Sequence, residues 1–212
     1  MKGMAKLPKY YEYLAQFESL LDAHLALVSP DRRLPEIPER YAGKPGFALR
    51  WCSETKRFAL AKALKRAPDE VRNHRDGLFH IVVHDLNPSF NYYLIMPIVN
   101  AIGRSELYEA LLGYLETGTY VERLCALKAW YSAPPGIFYR TSTDYHRGEP
   151  NPDRMAEYNA WVALRPRFLA ACEVAVEACD TPEEREQLAD LARSVARAEI
   201  VTIGEPGWED GL

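Results

Sequence analysis

The sequence predicts an all-α fold, and three observations carry that expectation. No part of the 212 residues alternates apolar and polar side chains with period two for long, so strands find no pattern to build on. A helix–turn–helix unit occurs twice in the middle of the chain, over 71–103 and again over 105–133. Near the end, Thr181, Pro182 and Glu184 write out a helix start: an N-cap, a proline at the first helical position and a capping-box glutamate. With 48% hydrophobic and 26% charged residues, the chain has enough apolar side chains to bury a real core.

The first helix is expected over 9–28, where Tyr10, Tyr13, Leu14, Phe17, Leu20, Leu21, His24 and Leu25 recur at helical spacing. Pro30, Pro35, Pro38, Pro45 and the glycines of 43–46 then stop any helix, since proline lacks the amide donor and clashes with the preceding turn. Ser53 reads as the N-cap of a second helix whose stripe is Phe58, Ala61 and Leu64, ending at Ala67 and Pro68.

The two central units follow. One breaks at Asp85, Leu86, Asn87 and Pro88, the other at Thr117 and Gly118. Slid by roughly 31 residues the breaks coincide, a period typical of helical repeats. Residues 134–152 read as a long loop of aromatic and charged residues. Asp153 is expected to cap a long helix with the stripe Tyr158, Val162, Leu169, Cys172, Val176 and Cys179, kinked at Pro166. The last helix turns Leu188, Leu191, Val195 and Ala198 to the core, and a polar tail starts at Thr202. The whole is expected to form a single all-α domain over 1–212: 1–50 a helix and Pro-rich loop, 51–133 the repeats, 134–152 the loop, 153–201 a helix pair and 202–212 the tail.

Charge and cysteine usage narrow the function classes. The net charge of −4 hides an asymmetry: residues 50–75 carry eight Lys/Arg against three Asp/Glu, and residues 173–212 eleven Asp/Glu against three Lys/Arg. Such a separation steers a charged partner or favours head-to-tail self-contact, so a homo-oligomer is a second option beside a protein partner. Cys52, Cys125, Cys172 and Cys179 stand at no metal-ligand spacing and read as reduced thiols, three of them within helical apolar patterns. No run approaches the ~18 apolar residues of a membrane span, and the first residues lack the apolar run of a secretory signal. A cytoplasmic protein without a membrane segment is the expectation.

A helical wheel of 88–102 sets Leu94, Ile95, Ile98, Ala101 and Ile102 inside and leaves Tyr93, Met96 and Asn100 outside. In the helix after Gly118, Val121, Leu124, Cys125 and Tyr131 share a side, with Arg123 and Trp130 opposite. Equivalent helices would then align Tyr93, Met96, Asn100, Arg123 and Trp130 in an outward strip with the composition of a binding hot spot. Tyr139, Arg140 and His146 in the long loop join the binding candidates.

A second constellation is Asp76, His80 and His84 at spacing i, i+4, i+8, on the helix face opposite Val71, Leu78 and Val82. Two imidazoles one turn apart can share Zn²⁺ or Fe, with a carboxylate one turn earlier ligating or orienting the first ring. Two exposed histidines on a solvated face are the simpler explanation, so the sequence assigns no metal, cofactor or catalytic residue. His24 and His74 sit on apolar stripes and read as core histidines. Templates for a nucleophilic serine, a P-loop, a dinucleotide-binding glycine motif and a CxxC pair are all absent.

The stretch 71–133 resembles HEAT-type repeats, in which antiparallel helix pairs stack into an α-solenoid. The residues behind the resemblance are VRNHRDGLFHIVVHDLNPSFNYYLIMPIVNAIG and SELYEALLGYLETGTYVERLCALKAWYSA, with EACDTPEEREQLADLA sharing the rhythm. The family's turn Asp and Arg are matched in part, by Asp85 and Arg123. An irregular α-helical bundle is the alternative. The resemblance implies a non-enzymatic adaptor or inhibitor that grips another protein along the second helix of each pair.

Two other classes stay in view. His84-Asp85 resembles the dipeptide of HD-domain phosphohydrolases, which would give a metal-dependent hydrolase using Asp76, His80, His84 and Asp85, yet no histidine lies between His24 and His74 to supply that family's upstream ligand. The basic segment 50–75 could bind nucleic-acid phosphates, as HEAT-like DNA glycosylases do, but the sequence pI of about 5.8 argues against it.

Overall fold

The computed structural model describes residues 10–41, 43–196 and 201–203. Lys9, Ala198 and the tail beyond 203, for which expectations were set, lie outside these. Among the described residues the fold is all-α apart from one pair of three-residue strands, and no helix is long and apolar enough to cross a membrane. The chain, read from sequence as one domain, divides into two compact units, 1–132 and 133–212.

The N-terminal unit starts with α1 (Tyr10–Val28), which buries Leu14, Phe17, Leu21 and Leu25 at the expected spacing. A single 3-10 turn, Glu39–Tyr41, interrupts the Pro-rich stretch. The next helix, α2 (Pro45–Arg66), begins eight residues before Ser53. Pro45 does not stop this helix but opens it, because at the first helical position its missing amide would have had no partner. Ser53 is therefore mid-helix, its hydroxyl donating to the Leu49 carbonyl. Of the expected stripe Ala61 and Leu64 are buried, but Arg57 and Leu60 join them in place of Phe58, which is 39% exposed.

The first central unit opens with two short helices, α3 (Pro68–Asn73) and α4 (Arg75–Val82), divided at His74. A tight turn leads into α5 (Pro88–Ile102), which keeps Pro97 inside it. Gly103, at φ +89°, reverses the chain in a conformation few other residues tolerate. Then come α6 (Arg104–Thr117) and α7 (Tyr120–Ser132), which pack as an antiparallel pair. Gly77 marks the close approach of α4 to α1: a Cβ there would collide with Nε2 of His24.

An ion pair with almost no solvent exposure ties this unit together. Arg57 Nε and Nη2 donate to the two carboxylate oxygens of Asp85, each at 2.7 Å. The Arg57 guanidinium also lies 5.0 Å from the centre of the Phe17 ring, so α1, α2 and the α4–α5 turn meet at one side chain. Asp85 Oδ1 accepts the Asn87 amide as well, at 3.0 Å, and the Lys128 ammonium of α7 donates to the Leu86 carbonyl at 3.4 Å. Burial pushes the Asp85 carboxyl up, against the pull of Arg57, and pushes the Lys128 ammonium down.

The C-terminal unit holds β1 (Ile137–Tyr139), paired in parallel with β2 (Val201–Ile203), and α8 (Ser142–Arg147), capped by Thr141. Strand and helix both fall in the expected loop of 134–152. Asp153 does not cap the long helix; it sits in a 3-10 turn, Pro152–Arg154, ahead of α9 (Met155–Glu177). That helix buries Trp161, Phe168, Ala171, Cys172 and Ala175, while Val162 and Leu169 of the expected stripe are exposed. The final helix, α10 (Pro182–Ala196), starts where the sequence signal put it, with the Glu184 amide on Thr181 Oγ1 at 3.2 Å, and buries Leu188 and Val195 against α9. All four cysteines are free thiols, and burial raises Cys125 and Cys172 to about 12, which leaves them inert.

Arg57→Met should cost about 3–5 kcal/mol in urea unfolding, because Asp85 stays buried without its counter-ion. The double variant Arg57→Met/Asp85→Asn, which removes both charges and keeps an acceptor for the Asn87 amide, should lose distinctly less.

Candidate functional site

The structure dismantles the expected outward strip. Trp130 is 1% exposed, with its ring centre 4.6 Å from that of Tyr108, and Arg123 is buried too, its guanidinium reaching the Glu116 carbonyl. Tyr131, expected inside, is 53% exposed. The reason is that α7 has no polar flank: from Val121 to Trp130 every residue except Glu122 is buried. A wheel drawn for a helix packed on one side misassigns a helix packed all round. Arg123 and Lys128 tolerate this because their aliphatic stems cover apolar surface.

What remains of the strip is at α5 and α2. Tyr93 is 40% exposed and meets Phe58 edge to face at 4.9 Å, with Tyr92 beside it, 42% exposed. Met96 is half-buried and Asn100 exposed. The sequence put Phe58 in the core and left Tyr92 out of the binding set, so the partners that Tyr93 has were missed.

In the C-terminal unit, Tyr139 packs edge to face on Tyr145 at 5.3 Å, and the exposed His146 ring lies 5.5 Å from Tyr145. Arg140 is engaged by Asp153 at 2.9 Å and by Asn151 at 3.3 Å.

The histidine constellation is half kept. His80 and His84 do come together, ring centres 4.2 Å apart, although α4 ends at Val82 and His84 stands in the turn beyond it. Neither sequence-assigned carboxylate joins them. Asp76 projects into solvent beside Arg75, and Asp85 points into the core at Arg57. Glu122, from the first turn of α7, takes their place: its Oε1 is 3.9 Å from His80 Nδ1.

Local sequence explains how Glu122 is held. Thr119 and Glu122 form a capping box, in which Glu122 Oε2 accepts the Thr119 amide and hydroxyl, both at 2.8 Å. The second carboxylate oxygen is turned to the histidines. His84 Nδ1 is 2.8 Å from the His80 carbonyl, so that nitrogen carries a proton and donates it to the carbonyl oxygen. Burial pushes His80 below its ordinary value, with His84 and His24 acting in the same sense against Glu122. Burial would raise Glu122, but the Thr119 hydrogen bonds and the two imidazoles outweigh it and hold the carboxyl low. His80 and His84 also line a groove of about 600 Å³ with Ala15, Gln16, Ser19 and Leu20 of α1. The T-x-x-E pattern at 119–122 was the available signal for Glu122, but only the fold brings it to the histidines.

At least four of the eight cations in the basic segment are engaged by carboxylates. Lys56 bonds Glu18 and Asp22 at 2.6 Å each, Arg57 bonds Asp85, Arg72 bonds Asp69, and Arg75 bonds Glu106. Comparison with known proteins finds no matching family, curated protein or solved structure.

Trp130→Ala should destabilise the protein by about 3–5 kcal/mol, as expected of a core aromatic, whereas Tyr93→Ser should cost about 1 kcal/mol or less. Thermal or urea unfolding of the two variants side by side measures the difference.

Proposed function

We propose that this chain is a non-enzymatic protein-binding module whose N-terminal unit presents the Phe58–Tyr92–Tyr93 patch to another protein. The observation that carries the reading is three large aromatic side chains, from two helices, each about two-fifths exposed, with Tyr93 edge-on to both Phe58 and Tyr92. Rigid aromatics offer large contact area with two rotatable bonds to fix, which is why they dominate binding hot spots. The half-buried Met96 and the exposed Asn100 lie on the same helix and extend the patch in the manner of an apolar centre with a polar rim.

Within this reading, the HEAT-like solenoid is the finer architecture. The α6–α7 pair has the hairpin such a solenoid needs, but the burial of α7 on every side favours the irregular bundle and moves the contact surface to α2 and α5. A nucleic-acid partner is disfavoured by the carboxylates that occupy Lys56, Arg57, Arg72 and Arg75. Hydrolysis by Asp76, His80, His84 and Asp85 is disfavoured by the two aspartates facing away from the imidazoles.

The test is a comparison of Phe58→Ser/Tyr93→Ser with the wild-type chain in affinity enrichment, followed by binding of the purified partner. The double variant should keep its helical circular dichroism and lose the partner at least about 100-fold, the scale of two hot-spot residues. Binding unchanged in the double variant, or lost equally with Tyr131→Ser, would remove this patch from the account.

A further inference from the structure

We propose that His80, His84 and Glu122 form a binding site for one divalent transition-metal ion, Zn²⁺ in the first place, at the mouth of the groove beside α1. The proposal is independent of the aromatic patch.

The donor set comes first. One ligand atom from each of the three side chains lies within 4.8 Å of the other two, and among the described residues no other group of His, Cys, Asp and Glu comes together in this way. A tetrahedral ion with ligand distances of about 2.0–2.2 Å needs its donors about 3.3 Å apart. The remaining contraction is within the reach of small side-chain rotations, since all three groups are only half-buried. Two imidazole nitrogens and one carboxylate oxygen suit zinc and its neighbours, whereas Mg²⁺ and Ca²⁺ demand oxygen-rich shells.

Orientation is the second observation. A metal-bound histidine usually donates its other N–H to a carbonyl or carboxylate, and His84 Nδ1 already does so to the His80 carbonyl. Glu122 is fixed in the same way, one oxygen in the capping box and the other turned inward. Helix capping alone accounts for the first oxygen. It gives no reason for the second to face a pair of imidazoles, or for those rings to stand 4.2 Å apart.

Space is the third. With three protein ligands the fourth position opens on the groove lined by Gln16 and Ser19, where water or a small anionic or amide ligand has room. The ligands also come from the end of α4, the turn after it and the start of α7. An ion would therefore clip that turn to α7, and ligand-free protein would be less stable than loaded protein.

The experiment uses the full chain without an affinity tag, stripped with chelator and titrated calorimetrically with Zn²⁺, with Co²⁺ as a spectroscopic probe. One ion per chain and a rise in Tm with excess Zn²⁺ are expected, with no response to Mg²⁺ or Ca²⁺. Glu122→Gln keeps a capping acceptor but makes a poor ligand, so it should retain the stripped protein's Tm while weakening Zn²⁺ by about tenfold or more and shrinking the rise. His84→Ala should weaken Zn²⁺ in the same way, and His146→Ala should change nothing. The absence of one-to-one binding in the wild type, or Zn²⁺ affinity unchanged in both Glu122→Gln and His84→Ala, would overturn the site.

Discussion

The N-terminal unit depends on the placement of one turn, residues 83–87, and that placement depends on a buried charge. Asp85 at the centre of the turn is enclosed completely, and a carboxylate in that position is tolerable only because Arg57 meets both of its oxygens. The constraint works in both directions. The guanidinium needs the turn in this conformation to be satisfied, and the turn needs α2 at this distance. Phe17 under the guanidinium and Lys128 on the Leu86 carbonyl extend the same requirement to α1 and α7. A buried ion pair contributes little net stability compared with a well-packed apolar pair, but it penalises every arrangement that separates its members. Here it links α1, α2, α7 and the turn between α4 and α5.

The geometry of the histidines follows from that ion pair. His84 immediately precedes Asp85, so the carboxylate that is drawn inward leaves the imidazole facing the opposite way, toward His80 and the groove. The start of α7 is held from two sides: by its own capping box, which aims Glu122, and by Lys128 two turns further along. The three side chains are thus brought together partly by their own local hydrogen bonds and partly by the Arg57–Asp85 pair and Lys128, which belong to the core. The same arrangement explains why Asp85, which lies next to a histidine in sequence, serves the core, while a carboxylate from another helix serves the groove.

Burial of α7 sets what the unit can offer a partner. A helix that carries Leu124, Cys125, Ala126, Leu127, Ala129 and Trp130 in sequence, with its two cations covered, leaves little to the surface beyond its ends. Exposed aromatics appear instead where α2 and α5 meet. In α2 the inward choice of Arg57 turns its neighbour Phe58 outward against Tyr93. One buried cation therefore bears on both surfaces, the histidine groove and the aromatic patch.

Local chemistry was enough to read much of this from sequence. The all-α class, α1 with its stripe, the hairpin over 105–133, the Thr181 start of α10 and the closeness of His80 to His84 all depend on neighbours within a turn or two, where capping, proline and spacing act directly. What the sequence could not settle is which side of each helix faces inward once several neighbours compete for it. Arg57 displaced Phe58, Trp161 and Phe168 displaced Val162 and Leu169, and Trp130 went inside although the wheel put it out. Pairings distant in the chain were equally illegible: Arg57 with Asp85, Glu122 with the two histidines, and β1 with β2. Residue spacing fixes periodicity along one helix, but the identity of the surface that covers it is decided only when the other helices arrive, and long-range charge pairing then selects among faces of nearly equal hydrophobicity.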